Sequence, residues 1–220
     1  MPDKETSPKA RRATRVSADV SARKTSSGET RRDRKRTALI RAAVSEFNRQ
    51  GFHKTSLDDI GERFGISKGA LYYYFPSKSA LLADCFDWAM AIARECLTKA
   101  KNSEEVGRKR IITFLTLYIE KTNEELHDCF LLTEDYALDP EDRAKLVRGR
   151  DRIERELRQL IKDGIADGSI VPCDPKLAVV MILGAVNWMP KWFSPGGPWK
   201  YRQVASATVA RHLMMRIMLQ

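Results

Sequence analysis

Basic and phenolic side chains are concentrated in one short stretch of this chain. Lys68 begins the stretch, Tyr72, Tyr73 and Tyr74 follow as an unbroken run, and Lys78 ends it. Ammonium and phenol groups donate hydrogen bonds to phosphate oxygens, and lysine also recognises acceptor atoms on base edges. Such groups have little place in a hydrophobic core. The stretch therefore predicts a surface that contacts nucleic acid, with a small helical pair that buries its tyrosines as the alternative.

Two short helices joined by a tight turn are predicted to position these groups. Ser56 stands three residues before Asp59, a capping box that begins the first helix, and Gly65 follows where a helix can end in a left-handed residue. Ser67 is placed to cap the second helix, and Pro76 stops it. Helix, short turn and helix is the arrangement that places a recognition helix in the major groove of DNA.

The second helix has two faces. Leu71 and Phe75 lie one turn apart and should pack inward, which leaves Lys68, Tyr72 and Tyr73 pointing elsewhere. We expect the start of this helix to approach base edges through Lys68 and Gly69, and Ser67 just before them to belong to the same DNA-binding surface. A second set of residues would bind phosphates and so fix the position of the protein along the DNA duplex: Thr55 or Ser56, Tyr72, Tyr73, Tyr74 and Lys78.

The string from Thr55 to Leu82, TSLDDIGERFGISKGALYYYFPSKSALL, closely resembles the DNA-binding segment of the TetR family of bacterial repressors. The resemblance covers about residues 36 to 82 and joins a turn, an aromatic run and a following lysine at fixed spacing. It implies the same phosphate contacts from the tyrosines and Lys78. It also implies a cytoplasmic, nucleoid-associated repressor that binds a palindromic operator in double-stranded DNA as a homodimer.

The basic excess lies mostly before this segment. The chain of 220 residues has a net charge of +10, and residues 1–36 hold twelve Lys or Arg against five Asp or Glu. This tail has no aromatic residue, no Leu and no Ile, so it buries too little apolar surface to offset its ordering entropy. We expect residues 1–33 to be a disordered arm that adds phosphate attraction, with a solvated leader as the alternative.

The remainder of the chain reads as helix, and the predicted fold class is all-α. We predict a helix from Arg36 to Gly51, and residues 34–80 then form a helix-turn-helix domain. The other predicted helices form a bundle over residues 81–220: 77–100, 104–122, 127–138, 140–167, 175–189 and 201 to the C-terminus. No stretch has about 18 uninterrupted apolar residues, so no membrane partner is expected.

Catalytic and metal-binding classes receive no support from the sequence. No nucleophile elbow, P-loop or HExxH motif occurs, so we predict neither catalytic residues nor an enzyme. The four cysteines, Cys85, Cys96, Cys129 and Cys173, form no CxxC pair, and we predict reduced thiols without a metal or cofactor.

Large aromatic residues in the C-terminal part suggest a ligand cavity. Phe114 and Tyr118 stand one helical turn apart, as do Trp188 and Trp192, and Asn187 could supply a polar contact. Such residues can be ordinary core, or they can line an apolar cavity between the helices of a bundle.

One arginine is a candidate partner for an anionic ligand. On the predicted 140–167 helix Leu146, Ile153, Leu157 and Leu160 share one face, and Arg148, Arg152 and Arg155 lie opposite. Arg150 instead lies close to the apolar face, where a guanidinium needs an anion or must extend to solvent. A buried anion contact is one interpretation, and a pair with a carboxylate such as Glu154 is the other.

The segments RGRDRIE and GAVNWMPKWFSPGGP resemble a TetR subgroup that regulates fatty-acid, steroid or aromatic-acid breakdown. That resemblance implies an acyl-CoA effector at Phe114, Tyr118, Arg150, Asn187, Trp188 and Trp192, and dimerisation through the last two helices. Val204, Ala207, Met214 and Met218 permit such pairing or could cover the molecule's own core. Two rivals remain: a drug-responsive repressor of an efflux gene, and a helical carrier or enzyme that binds no DNA.

Overall fold

The computed structural model describes residues 30–103, 105–126, 135–189, 192–194 and 196–213. In those ranges all regular structure is helical and no strand occurs, which confirms the all-α fold class. A short 3-10 turn, Asp135–Ala137, precedes the sixth helix. The helices are α1 (Arg31–Gln50), α2 (Leu57–Arg63), α3 (Lys68–Tyr74), α4 (Lys78–Lys101), α5 (Gly107–Leu126), α6 (Pro140–Ala166), α7 (Pro175–Asn187) and α8 (Tyr201–Leu213).

Helix α1 begins five residues before the predicted Arg36. Thr30 caps it: the Thr30 hydroxyl accepts a hydrogen bond from the backbone N–H of Asp33 at 3.1 Å, and the Asp33 carboxylate accepts one from the Thr30 N–H at 3.0 Å. This capping box satisfies two otherwise free N–H groups, and it makes Arg31 the first helical residue. The first three residues of α1, Arg31 to Asp33, thus overlap the end of the segment predicted as an arm.

A buried carboxylate fastens α2 to α1. Glu46 on α1 is 1% exposed, and its oxygens meet Arg49 and Gln50 on the same helix and Arg63 on α2. Burial alone would raise the pKa of the Glu46 carboxyl, but the hydrogen bonds from Arg49 and Gln50 outweigh it and the pKa lies below its usual value. The side chain therefore stays ionised and holds the two helices at a fixed angle.

Helix α4 joins the DNA-binding segment to the bundle. It packs against α1 on one side and against α5 and α6 on the other, while α5 also packs against α8. The predicted inner face of α6 is confirmed, because Leu146, Ile153, Leu157 and Leu160 are all buried. The arginines predicted to lie opposite are exposed: Arg148, Arg152 and Arg155.

The N-terminus of α5 crosses the end of α6 at a pair of glycines. A Cβ added to Gly107 would lie 2.4 Å from the Cα and N atoms of Gly164, so α5 has no room for a side chain at this crossing. The crossing is also hydrogen-bonded, because the Gly107 N–H donates to Asp167 at 2.7 Å and the Arg108 N–H donates to Ser169 at 3.0 Å. These contacts lock the two helices together at one end of the bundle.

Other predicted elements differ or lie outside the described residues. Helix α5 begins at Gly107 rather than 104 and continues past 122 to Leu126, the last residue described before the gap. Of the predicted 127–138 helix, residues 127–134 lie outside, as do Cys129, Met214 and Met218. No helix of the described part of the chain is long and apolar enough to cross a membrane.

Candidate nucleic-acid interface

Helix α3 is held by its inner face and presents its outer face to solvent. Leu71 is fully buried and Phe75, which follows the helix, is 1% exposed, as the spacing predicts. Ser67 caps the helix, because its hydroxyl accepts a hydrogen bond from the Ala70 N–H at 3.3 Å. Tyr72 and Tyr73 are 43% and 66% exposed. Two phenol groups are thus displayed on a rigid helix, where they can donate to phosphate oxygens.

Lys68 stands at the start of α3 beside a carboxylate. Its ammonium donates to Asp58 at 2.7 Å and lies 5.6 Å from the centre of the Tyr72 ring. The hydrogen bond to Asp58 raises the pKa of Lys68, which keeps the group charged. Both partners are exposed, and exposed ion pairs contribute little to stability. Lys68 can therefore exchange Asp58 for a phosphate or a base edge.

Gly69 leaves an open gap in the surface of α3. A Cβ added at this position would meet nothing within 4 Å. Glycine inside a helix costs stability, so packing does not explain its presence here. The missing side chain instead allows another molecule to approach the α3 backbone closely.

Next to α3 lies an open hollow of about 360 Å³ lined by residues from both sides of the turn: His53, Lys54, Thr55, Ser56, Leu57, Tyr72, Pro76, Ser77 and Lys78. The Lys78 ammonium donates to the carbonyl oxygen of Phe52 at 2.9 Å and lies 4.3 Å from the centre of the Phe52 ring. An ammonium has three N–H donors, so this bond leaves donors for an anion in the hollow. Ser56 at the rim is exposed and caps α2.

Two of the predicted contacts are turned inward. Thr55 is 1% exposed, and its hydroxyl donates to the carbonyl oxygen of Gly51 at 2.9 Å. Of the predicted pair, Ser56 and not Thr55 therefore offers its hydroxyl to solvent. Tyr74 is half-buried and packs against the core, with its ring 5.2 Å from that of Tyr73. Its main contribution is to support Tyr73.

Sequence reasoning missed Arg32, which lies beside the recognition helix. Its guanidinium is 5.2 Å from the centre of the Tyr73 ring, a cation–π distance. The signal was present in the sequence, because Thr30 and Asp33 have the spacing of a capping box and begin α1 early enough to carry Arg32 over Tyr73. This arginine extends the positive surface of Lys68 and Lys78.

In the part of the chain that the structure describes, the six residues predicted to bind an effector lie in separate places. The rings of Phe114 and Tyr118 stack at 5.5 Å, and Phe114 is 1% exposed. A void of only about 10 Å³ lies beside Phe114. In contrast, three of the six lie on the outer surface: Asn187, Trp188 at 63% exposure and Trp192 at 48%.

Arg150 has a protein partner in this structure. Its guanidinium lies 3.0 Å from the Asp135 carboxylate and 5.7 Å from the centre of the Phe86 ring. It is half-buried, as its position near the apolar face of α6 predicts, and the carboxylate it pairs with is Asp135 rather than Glu154, which pairs with Arg158.

The part of the chain that the structure describes contains no metal-binding cluster, and the buried thiol of Cys96 is unreactive. No group of three or more His, Cys, Asp or Glu there could hold a metal ion. Cys85, Cys96 and Cys173 form no disulfide with one another, and burial raises the pKa of Cys96 to about 11, which makes its thiolate inaccessible at neutral pH.

Two family models match the chain. Residues 39–85 match "Bacterial regulatory proteins, tetR family", and residues 105–216 match "Tetracyclin repressor-like, C-terminal domain". The chain belongs to the TetR family. Helices α2 and α3 accordingly belong to the helix-turn-helix of a TetR-family transcriptional regulator, and this family consists of regulators rather than enzymes.

Similar proteins agree with this assignment. The HTH-type transcriptional repressor KstR2 of Mycolicibacterium smegmatis is 27% identical over 184 residues, which cover 80% of this chain and 87% of KstR2. The TetR-family regulator PfmR of Thermus thermophilus is 28% identical with a TM-score of 0.72 over 79% of this chain and 96% of PfmR. AibR in complex with isovaleryl coenzyme A and operator DNA has the same fold, with 23% identity and a TM-score of 0.71 over 80% and 97% of the two chains.

Proposed function

We propose that this TetR-family regulator is a homodimeric repressor that binds a palindromic operator and leaves it when an acyl-CoA thioester binds the C-terminal bundle. The observation that carries the DNA-binding part is the outer face of α3, where exposed Tyr72 and Tyr73 stand beside Lys68 and the open backbone of Gly69. Lys68 and Gly69 meet base edges. Phosphates are held by the groups around them: Arg32, Ser56, Ser67, Tyr72, Tyr73 and Lys78.

An apolar stripe on α7 supports dimerisation. Leu177, Val180, Met181 and Trp188 are 46–63% exposed and recur at helical spacing, with Gly184 between them. Large contiguous apolar surfaces on folded proteins mark interaction sites. A second copy of the same stripe is the partner we propose, because two-fold symmetric pairing buries both stripes and spaces two recognition helices for a palindrome. Trp188, predicted to bind the effector, is assigned to this stripe instead.

The effector site that we propose lies at the Phe114–Tyr118 stack between α5, α6 and α7. The void beside Phe114 is too small for a ligand, so an effector must move the surrounding side chains to enter. A ligand that binds only the rearranged bundle shifts the population towards that state, which is the requirement for a switch. The acyl-CoA class is supported by the isovaleryl coenzyme A bound to AibR, a protein of the same fold.

Substituting Gly69 by alanine tests the recognition face. The Cβ meets nothing in the protein, and alanine favours a helix by up to about 1 kcal/mol over glycine, so the variant should be at least as stable as the parent. The same Cβ should obstruct the approach to DNA and weaken binding by about tenfold or more. Binding is measured by fluorescence anisotropy on a duplex selected from a random pool by the parent protein. An unchanged Kd for Gly69→Ala would remove Gly69 from the interface.

Thermal unfolding with added ligands tests the effector class. We expect isovaleryl coenzyme A or a longer acyl thioester to raise Tm by mass action, and to do so more than coenzyme A or the free acid alone. Tyr118→Ala should reduce this rise, whereas Arg148→Ala, at an exposed position of α6, should not. Equal shifts with coenzyme A and its thioesters, or none across the panel, would contradict an acyl-CoA effector.

A further inference from the structure

The turn Asp135–Ala137 contacts the DNA-binding segment directly. The Tyr136 hydroxyl and the His53 Nε2 atom are 2.7 Å apart, and the two rings stack at 5.6 Å with an angle of 20° between their planes. His53 belongs to the connection between α1 and α2, and Tyr136 is 83 residues further along the chain. The contact thus joins the DNA-binding segment to the C-terminal bundle at a point outside α4.

The neighbours of Tyr136 fasten the same turn to two further helices. Asp135 pairs with Arg150 of α6 at 3.0 Å. The carbonyl oxygen of Ala137 accepts a hydrogen bond at 3.1 Å from the hydroxyl of Ser79, in the first turn of α4. Three consecutive residues therefore bind three different elements, which makes the turn a junction rather than a simple connection.

His53 stands at the rim of the hollow beside α3. Phe52 precedes it, with the two rings 5.5 Å apart edge to face, and Phe52 also receives the Lys78 ammonium on its carbonyl oxygen and its ring. The Thr55 N–H donates to the same carbonyl oxygen at 3.3 Å. A displacement of His53 therefore also moves the adjacent Phe52 carbonyl oxygen, which binds Lys78 and the N–H of Thr55, the residue before Ser56.

We propose that the turn Asp135–Ala137 is a coupling element that transmits the state of α6 to the phosphate-binding hollow through Tyr136 and His53. The inference rests on the proposed function for the existence of an effector, but the mechanical link does not depend on which effector it is. With Arg150 bound to Asp135, the turn holds His53 and the hollow in one geometry. A shift of α6 that breaks this pair releases the turn, and the hollow loosens without any movement of α4. The proposed effector site, through α6, and the phosphate-binding hollow thus both act on this turn, as coupling between two sites requires.

Hydrogen exchange in the full-length protein tests the link without any ligand. Asp135→Asn weakens the pair with Arg150, and Tyr136→Ala removes the contact with His53. Both should speed exchange of the Thr55 amide and weaken DNA binding about three- to tenfold, while Tyr136→Phe, which keeps the ring stack, should lie between them and the parent. Lys145→Ala is the matched control, because it breaks an ion pair of α6 that does not involve the turn, the pair with Asp87 of α4, and should leave exchange at Thr55 unchanged.

A double-mutant cycle on DNA affinity isolates the pair. The effects of Tyr136→Phe and His53→Ala should be non-additive, because each removes the same hydrogen bond. Additive effects together with unchanged exchange at Thr55 in Asp135→Asn and Tyr136→Ala would overturn the proposal. Faster exchange in both variants, with no response of the parent to isovaleryl coenzyme A, would support the coupling element and count against the acyl-CoA effector.

Discussion

Replacing Val180 by glutamate is expected to yield a monomer that has lost most of its affinity for DNA. Val180 is 54% exposed in the protomer and lies in the middle of the α7 stripe, so in the proposed dimer two carboxylates would be buried without partners. An unpaired buried charge costs several kcal/mol, and each 1.4 kcal/mol is a factor of ten, so the dimer Kd should rise by about 100-fold or more. A single subunit then holds only one half-site and loses the gain from bivalent binding, which is about 100-fold or more.

Val147→Glu is the matched control for this experiment. Val147 is also an exposed valine, at 44%, but it lies on α6 and outside the stripe. Analytical ultracentrifugation should show dimers for the parent and for Val147→Glu and monomers for Val180→Glu. If Val180→Glu remains dimeric at concentrations where the parent is dimeric, a different surface makes the dimer.

The second large effect is expected at the crossing of α5 and α6, where Gly107→Ala should lower the free energy of unfolding by about 3 kcal/mol. The added Cβ lies 2.4 Å from backbone atoms of Gly164, so relief requires a helix to move rather than a side chain to rotate. Such a movement would also strain the hydrogen bond from the Gly107 N–H to Asp167.

The control for Gly107→Ala is another glycine-to-alanine substitution, at a position where the added Cβ has room. At Gly149, inside α6, an added Cβ would lie 3.7 Å from the flexible side chain of Met90, an ordinary contact, so Gly149→Ala should be neutral or stabilise by up to about 1 kcal/mol. Urea unfolding at one fixed protein concentration measures both variants. Similar unfolding midpoints for Gly107→Ala and Gly149→Ala would mean that the crossing relaxes without cost.

Local patterns predicted the DNA-recognition segment well, because its signals lie within a few residues of one another. The caps at Ser56 and Ser67 occur as expected, and Leu71 and Phe75 are buried. Thr55 is the exception. The hydroxyl of a Ser or Thr at this point can bond either to DNA or to the protein's own backbone. Only the three-dimensional course of the turn brings the Gly51 carbonyl oxygen within reach of Thr55.

Long-range contacts could not be predicted in the same way. The helical spacing that places Trp188 on an apolar face is identical whether that face meets the molecule's own core or a second copy, and the structure leaves it outside. Arg150 lies near the apolar face of α6 as predicted, but its partner Asp135 comes from a separate turn 15 residues away. Periodicity describes the face of one helix and carries no information on what lies opposite.

The filled space beside Phe114 has a kinetic consequence. If the effector enters there and binds only molecules whose bundle is already open, the observed association rate will level off at the opening rate as ligand concentration rises. The apparent affinity will also be weaker than the intrinsic affinity by the fraction of molecules that are open. A substitution that loosens this packing without touching the ligand should therefore make the regulator respond faster and at lower effector concentrations.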